Sequence, residues 1–242
     1  MTALLDVDRL TRRFGGLVAV NELTFSLDAG EIVGLLGPNG SGKTTALNLI
    51  SGLVAPTSGQ ITFDGQPIGG LPANRIARRG IARTFQLVRP LPSLTVIENV
   101  ITALAFRAEA LWGKPAEEAA GRYLEQVGLT VRPGQAAVDL TYIDLKRLEL
   151  ARALAAEPRL LLLDEWLAGL NPTELRAGIK LITALRQSGI TVLLVEHVMD
   201  AVHALCERCV VMNAGRKIAD GPTADVLEDR DVVRAYLGEV DA

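Results

Sequence analysis

The sequence predicts an α/β fold in which a largely parallel sheet is flanked by helices. Residues 31–36 form an apolar run that leads into a glycine-rich loop, and the helical pattern beyond it ends at Gly52. From residue 159 onward, short apolar runs alternate with amphipathic segments, which is typical of strand–helix–strand units. A hydrophobic content of 49% over 242 residues is enough for one large core, or for a core with a smaller inserted lobe.

The first part of the chain favours antiparallel strands. Alternating apolar and polar residues predict strands near residues 4–10, 19–27 and 60–63. Turn signals at 28–30 and 57–59 separate them, and such short connections join neighbouring antiparallel strands.

The pattern changes after Gln86, which follows a short predicted strand at residues 81–85. The segment 89–92 contains two prolines and breaks the pattern. Helices are then predicted over residues 95–108, 116–127 and 142–156. We therefore expect one domain over residues 1–242, in which a helical subdomain, 87–154, is inserted between the core segments 1–86 and 155–242.

The last part alternates strands and helices. Strands are predicted at 160–163, 190–195, 210–212 and 217–219, and helices at 173–187 and 199–206. This order predicts a parallel sheet whose functional site lies at the carboxyl ends of its strands.

Composition excludes several classes of function. The net charge of −3 gives no sign of a nucleic-acid-binding protein, so we interpret the cluster of Arg75, Arg78, Arg79 and Arg83 as a solvated or partner-facing surface. No apolar run is long enough to span a membrane, and residues 1–8 carry acids where a signal peptide carries bases. We expect the chain to work in the cytoplasm.

Two cysteines, Cys206 and Cys209, have a C-x-x-C spacing. Only His203 is close enough in sequence to complete a metal site, and an apolar run follows the pair. Buried, unreactive thiols are the favoured interpretation over a redox or metal pair.

The loop after residue 36 fills the phosphate-loop pattern G-x-x-x-x-G-K-[ST]. Its residues are Gly37, Pro38, Asn39, Gly40, Ser41, Gly42, Lys43, Thr44 and Thr45. The glycines allow backbone N–H groups to surround phosphate oxygens, and the following helix adds its positive end. Lys43 would supply a charge for the outer phosphates and Thr44 a hydroxyl for Mg²⁺. The loop predicts binding of a nucleoside triphosphate.

Four further residues lie where predicted strands end. Asp164 and Glu165 close a buried strand, and we expect Asp164 on the Mg²⁺ side and Glu165 to orient or deprotonate water. His197 follows the next strand, where it would contact the terminal phosphate or the attacking water. Gln86 would ligate Mg²⁺ and report the nucleotide state to the helical subdomain.

With these motifs in this order, the chain resembles the ATP-binding cassette (ABC) family of ATPases over its whole length. The resemblance implies a P-loop NTPase (RecA-like) core with an antiparallel β subdomain and an inserted α-helical subdomain, and ATP with Mg²⁺ as cofactors. It implies that Phe14 stacks on adenine, that Lys43, Glu165 and His197 are catalytic, and that Ala168–Asn171 forms the D-loop.

Finer motifs resemble one class within the family. Segments 14–20, 83–86, 95–100 and 235–238 look like an ATPase subunit of the branched-chain amino-acid class of bacterial importers, whose members also move urea and other small amides. The resemblance implies a second, different ATPase subunit, two permease subunits in the membrane and an exported solute-binding protein, with no nucleic acid. The chain would then lie on the inner face of the membrane, and residues 87–91 would line the permease-docking groove.

The family's signature segment is altered in this chain. Near L-S-G-G-Q, the sequence has Leu140, Thr141, Tyr142, Ile143 and Asp144, and this segment works on the partner's ATP. Ile143 adds bulk, Asp144 adds negative charge, and Thr141-x-x-Asp144 fits a capping box that would satisfy the helix end itself. We expect the partner-side ATP to turn over poorly, and the alternative is a tolerated variant. Trp166 stands where the family has proline, and is expected to repack the D-loop.

Two other functions remain open. A non-transport ABC protein acting on ribosomes or DNA would carry a second cassette or a long coiled insertion, neither of which this sequence contains. An ATP-binding regulatory subunit with weak hydrolysis would fit the altered signature, but not the presence of both Glu165 and His197. The sequence does not decide between import and export.

Overall fold

The computed structural model describes residues 3–107 and 109–237. Three sequence-based predictions extend beyond them: the acidic N-terminal segment at Met1 and Thr2, the helix over 95–108 at Ala108, and the motif 235–238 at Gly238.

Strands and helices follow one another in the predicted order. The strands are β1 (Leu5–Phe14), β2 (Leu17–Leu27), β3 (Ile32–Leu36), β4 (Ser58–Phe63), β5 (Gln66–Pro67), β6 (Ile81–Arg83), β7 (Leu160–Asp164), β8 (Thr191–Val195), β9 (Arg208–Asn213) and β10 (Arg216–Pro222). The helices are α1 (Lys43–Ile50), α2 (Ala73–Ala77), α3 (Val96–Phe106), α4 (Gly113–Gln126), α5 (Tyr142–Ala155), α6 (Pro172–Gln187), α7 (Met199–Leu205), α8 (Thr223–Glu228) and α9 (Arg230–Leu237).

The strands form two sheets. The antiparallel sheet has the order β2-β1-β4-β5, and the main sheet has the order β10-β9-β3-β8-β7-β6. In the main sheet β9, β3, β8, β7 and β6 run parallel, and β10 pairs antiparallel to β9. The predicted α/β class, with its antiparallel first part and parallel sheet, is confirmed.

The main sheet separates two hydrophobic cores. Because side chains alternate along a strand, Leu161 and Leu163 of β7 pack with the helices on one face, and Leu160 and Leu162 pack beneath the antiparallel sheet on the other. All five residues of β3, β7 and β8 are buried, which explains their continuous apolar sequences. Burial of each such leucine stabilises the fold by about 1.5–3 kcal/mol.

Helices α3, α4 and α5 pack against one another. Thr95 begins α3 with a capping box to Glu98, and Asn171 begins α6 with a capping box to Glu174, followed by Pro172. These caps fix the helix starts close to where the sequence predicts them.

Some elements differ from the sequence-based prediction. Helix α4 begins at Gly113, three residues before its predicted start, and α7 ends at Leu205. The prediction missed the two-residue strand β5, the helices α2, α8 and α9, and a 3₁₀ turn at Ala137–Asp139. These helices have three to eight residues, too few for a 3.6-residue period to stand out.

Both cysteines are buried, as predicted, and lie close to Gly34 of β3. No helix within the described ranges has the length and apolar character needed to cross a membrane.

Candidate functional site

Four neighbouring strands bring the predicted site residues to one edge of the main sheet. Strands β3, β8, β7 and β6 lie side by side and parallel, so their carboxyl ends share that edge. Gly37 follows β3, Glu165 follows β7, and His197 and Gln86 come shortly after β8 and β6. Residues far apart in sequence therefore meet around the glycine-rich loop.

The glycine-rich loop packs tightly against its neighbours. Gly37 has φ 141°, and a Cβ there would lie 2.0 Å from the carbonyl oxygen of Met212. Gly42 has φ 106°, and a Cβ there would lie 2.5 Å from the carbonyl oxygen of Ala19. Only glycine fits these two positions, so the loop conformation requires both.

The remaining loop residues differ in exposure. Asn39, Gly40 and Thr44 are exposed, whereas Ser41 is buried and its Oγ has no partner among the described residues. Gly42 precedes α1 and no described side chain caps this helix, so its first N–H groups point into the loop.

The side chain of Lys43 folds back over the start of the glycine-rich loop. Its Nζ donates to the carbonyl oxygens of Gly37 at 2.7 Å and of Pro38 at 2.9 Å. Burial lowers the pKa of Lys43, while the charges of Glu165 and Asp164 raise it. The lysine thus lies near both acids that end β7.

Asp164 is almost fully buried and forms an ion pair with Arg83. The Nη2 atom of Arg83 lies 2.7 Å from Asp164 Oδ2, with both side chains at most 6% exposed, and Arg83 Nη1 also donates to Asn48 Oδ1 at 2.6 Å. The interpretation of Arg83 as part of a solvated basic surface is therefore wrong. Arg83 ends β6, the neighbour of β7, and the alternation along β6 turns its side chain inward.

The carboxylate of Glu165 lies between Gln86 and His197. Gln86 Nε2 donates to Glu165 Oε2 at 2.7 Å, and His197 Nδ1 lies 3.7 Å from Glu165 Oε1. Glu165 has φ 51°, a left-handed conformation that a non-glycine residue adopts at a cost of about 1–3 kcal/mol. Strain of this kind is typical of residues held in a functional geometry.

A second glutamate contacts the turn that follows β7. Glu196, between β8 and His197, is buried, and its Oε1 accepts a hydrogen bond from the backbone N–H of Leu167 at 2.6 Å. Burial raises the pKa of Glu196, and the Leu167 amide and the charge of His197 oppose this shift. The sequence-based analysis missed this residue, although it ends the same buried strand as His197.

Phe14 lies at the turn between β1 and β2. Its side chain is 44% exposed, and the guanidinium of Arg12 lies over the ring, 4.5 Å from the centroid. Strand β2, which follows this turn, contacts the glycine-rich loop through the carbonyl oxygen of Ala19.

The altered signature segment begins α5, and its side chains are hydrogen-bonded to one another. The Thr141 hydroxyl accepts from the Asp144 backbone N–H at 3.3 Å and donates to Asp144 Oδ2 at 2.8 Å, and Arg147 pairs with Asp144 Oδ1 at 3.2 Å. The predicted capping box is only half formed, because the carboxylate bonds the hydroxyl of Thr141 and not its backbone N–H. Tyr142 is 56% exposed beside them.

Ile143 and Trp166, two of the bulky departures from the family pattern, line the same small cleft against α6. Trp166 is buried, and its Nε1 donates to the carbonyl oxygen of Lys146 at 3.1 Å. The tryptophan thus joins the D-loop segment to α5.

A larger cavity, of about 640 Å³, lies between the core and the helical lobe. Its lining is mostly apolar and includes Phe85, Arg89, Leu91, Phe106 and Glu149. Leu87, which the sequence-based analysis also placed along the groove, is exposed but is not part of this lining.

Comparison with known proteins agrees with this geometry. The family model described as ABC transporter matches residues 20–168, more than half of the chain. A second model, described as Branched-chain amino acid ATP-binding cassette transporter, matches residues 216–242.

Curated relatives match over nearly the full length. The high-affinity branched-chain amino acid transport ATP-binding protein BraF of Pseudomonas aeruginosa is 41% identical, over 98% of both chains. The corresponding protein LivG of Salmonella typhimurium is 42% identical, again over 98% of both chains.

Solved structures share the fold. A nucleotide-free ATP-binding cassette from an ABC transporter superposes with a TM-score of 0.88 at 29% identity, covering 98% of this chain and 100% of that one. A dimeric cassette bound to ADP and phosphate superposes with a TM-score of 0.81 at 25% identity, covering 90% and 98%. This chain therefore belongs to the ABC transporter family, as one of its ATP-binding, ATP-hydrolysing cassettes.

Proposed function

We propose that this chain powers the import of branched-chain amino acids or a related small amide, with Glu165 as the general base of ATP hydrolysis. The observation that carries the proposal is the position of the Glu165 carboxylate, 2.7 Å from Gln86 Nε2 and 3.7 Å from His197 Nδ1 beside the glycine-rich loop. A carboxylate held this way orients and deprotonates a water molecule for attack on the γ-phosphate. His197 contacts the terminal phosphate or this water.

The nucleotide lies along the glycine-rich loop. Backbone N–H groups of residues 42–45 would bind its phosphates, since the N–H of Gly37 already donates to Tyr236 Oη at 2.8 Å. Lys43, on its flexible stem, would place its ammonium on the outer phosphates. Phe14 would offer its ring to the adenine, and Arg12 covers one face of that ring.

Thr44, Gln86 and Asp164 would hold Mg²⁺. A hydroxyl, an amide oxygen and a carboxylate are hard oxygen ligands of the kind that Mg²⁺ prefers together with substrate phosphates. The described residues contain no cluster of three or more His, Cys, Asp or Glu side chains that could hold a metal ion. When bound, the ion offsets charge on the β- and γ-phosphates. Arg83 fixes the direction of the Asp164 carboxylate.

The partners follow from the two surfaces that flank the site. We divide the chain into a core, 1–86 and 155–242, and a helical subdomain, 87–154, and the cavity between them takes a helix of a membrane permease. Its apolar lining, with Leu91 and Phe106 at its side, suits such a helix. Two permease subunits would hold the chain at the inner face of the membrane, and an exported binding protein would supply the solute.

The second cassette is a different chain. The segment of Thr141, Tyr142, Ile143 and Asp144 faces the partner's ATP, and its hydroxyl and carboxylate are already bonded to each other. The partner's own signature completes the site around Lys43 and Glu165. The same observation favours a second candidate function, an ATP-binding regulatory subunit with weak hydrolysis.

The names of the similar proteins support the choice of solute, and the match at residues 216–242 points to the same class. The test is uptake of radiolabelled leucine, isoleucine, valine and urea by cells that express the complete transporter. We expect uptake of at least one of these solutes, abolished by Glu165→Gln and unchanged by Glu118→Gln, a substitution of an exposed carboxylate on α4. Uptake that persists with Glu165→Gln, or a transporter that moves none of them while it hydrolyses ATP, would contradict the proposal.

A further inference from the structure

Lys146, in the second turn of α5, is buried with only 2% of its surface exposed. Its Nζ donates to three backbone carbonyl oxygens of one turn, those of Glu165 at 3.3 Å, Trp166 at 2.9 Å and Ala168 at 2.7 Å. An ammonium group has three N–H donors, so the three carbonyls use its full capacity.

The contact between α5 and this turn is reciprocal. While Lys146 Nζ donates to the carbonyl of Trp166, the indole Nε1 of Trp166 donates back to the carbonyl of Lys146 at 3.1 Å. Trp166 is itself 3% exposed, so water does not compete for either bond. The two residues therefore form a closed pair between the signature helix and the turn that follows β7.

The charge of Lys146 has no carboxylate as a direct partner. None of the ion pairs between described residues includes it, and Glu196, Glu149 and Glu165 act on it only as nearby charges. Burying an ammonium is costly unless its donors are satisfied, and here the three carbonyl oxygens satisfy them. Carbonyl dipoles aimed at one point repel each other, and the cation offsets that repulsion.

The turn that Lys146 holds carries the strained residue. Glu165 has φ 51°, and its carbonyl is one of the three acceptors. On the other side, Glu196 holds the N–H of Leu167 at 2.6 Å. The backbone of residues 165–168, which begins with the residue of the catalytic carboxylate, is thus held by two buried ionisable side chains, Lys146 and Glu196.

We propose that Lys146 is a positioning residue for Glu165: it holds the turn of residues 165–168 in the geometry that aims the Glu165 carboxylate, and it ties that geometry to the signature helix α5. The proposal rests on the assignment of Glu165 as the general base. When α5 moves as its N-terminus engages the partner's ATP, Lys146 would then transmit that movement to the Glu165 carboxylate of this chain.

The experiment compares full-length variants assembled with the companion cassette and the permeases. Lys146→Met keeps the apolar stem and removes the donors, and Lys146→Arg keeps a charged donor. Lys114→Met, at an exposed lysine of α4, is the matched control. For each variant kcat, KM for ATP and the melting temperature are measured.

We expect Lys146→Met to lower kcat by about 10- to 100-fold, because small misplacement of a catalytic group costs this much. The KM for ATP should stay within about threefold of that of the wild type, since the glycine-rich loop is not touched. Lys146→Arg should recover kcat to within about threefold, and Lys114→Met should match the wild type. The proposal is overturned if Lys146→Met keeps kcat within about twofold. It is also overturned if Lys146→Met lowers both kcat and the melting temperature and raises KM, and Lys146→Arg restores none of the three.

A second variant decides the case in which Lys146→Met does not fold. Trp166→Phe removes the indole donor and keeps an aromatic ring in the cleft, and should lower kcat about three- to tenfold with KM unchanged. A Trp166→Phe chain with wild-type kcat would overturn the proposal. A parallel Glu165→Gln chain separates the two claims, since retained turnover there would contradict the assignment of the base and not the contacts of Lys146.

Discussion

Gln86 and Glu165 lie 79 positions apart in sequence, yet the amide Nε2 of the first donates to the carboxylate Oε2 of the second at 2.7 Å. Gln86 follows β6 at the border of the helical lobe, and Glu165 follows the neighbouring strand β7. The hydrogen bond therefore connects the segment that leads into the lobe with the carboxylate beside the glycine-rich loop.

Replacing Gln86 should break the link between the helical lobe and the Glu165 carboxylate. We expect Gln86→Ala to lower kcat for ATP hydrolysis by about tenfold, because the Glu165 carboxylate loses a bond that orients it. ATP affinity, measured by equilibrium titration, should change less than threefold. Gln66→Ala, at an exposed glutamine in β5, is the control and should leave kcat and ATP affinity unchanged. An equal kcat for Gln86→Ala and wild type would contradict this role.

Removing Arg83 should destabilise the fold. Because the Arg83–Asp164 ion pair is nearly inaccessible to water, Arg83→Met leaves a buried carboxylate without its partner, which costs about 3–5 kcal/mol. Urea unfolding of the full chain gives this value from the midpoint and slope.

Two further variants test the cause of that loss. Arg78→Met, at an exposed arginine just after α2, should unfold within about 0.5 kcal/mol of the wild type. The double variant Arg83→Met/Asp164→Asn should recover part of the stability, since the unpaired charge is gone. No recovery would show that packing, and not charge, explains the loss.

The signature segment gives a prediction about the second ATP site. Ile143→Gly with Asp144→Gln removes the branched side chain and the carboxylate that engages the Thr141 hydroxyl. We expect a several-fold rise in ATPase activity of the assembled complex, because the helix N-terminus and the hydroxyl become available to the partner's phosphate. An unchanged rate would favour a tolerated variant, and the rate of the isolated chain should not rise.

Glu149 should make stability depend on pH. Burial raises the pKa of its carboxyl to about 7, while the nearby amide of Phe85 and the charge of Arg152 lower it. Between pH 4.5 and 7 the folded carboxyl holds a proton that the unfolded one has lost, so the stability falls as the pH rises through this window. Above pH 7, this carboxyl makes the free energy of unfolding roughly 3 kcal/mol lower than at pH 4.

The comparison that isolates this effect is Glu149→Gln. We expect the difference in unfolding free energy between wild type and variant to change between pH 5 and pH 8, in the direction that favours the variant at high pH. Urea unfolding at both pH values measures it. A difference that stays constant with pH would contradict the raised pKa.

The sequence predicts the residues that end buried strands, because an apolar run followed by acids has one natural place in a parallel sheet. Glu165 is found in this way, His197 because it follows a second such run, and Gly37 from the glycine-rich pattern. The sheet order then brings the three together. Arg83 was misjudged since its neighbours in sequence are surface arginines, and only the pairing of β6 with β7 turns it inward.

Lys146 shows a different limit. In sequence it stands between Leu145 and Arg147, and a lysine there is typical of an exposed helix face. Its burial depends on the packing of α5 against the turn after β7, a contact between segments 20 residues apart that local periodicity does not contain. Hydrogen-bond partners across elements cannot be predicted before the elements are packed.

We propose that the Glu165 carboxylate activates the water that hydrolyses ATP bound at the glycine-rich loop. The most direct test is single-turnover hydrolysis and ATP affinity of Glu165→Gln in the assembled complex. We predict a loss of turnover at the Lys43–Glu165 site of at least about 100-fold, with ATP affinity within threefold of that of the wild type. Hydrolysis by Glu165→Gln at the wild-type rate would show that Glu165 is not the general base.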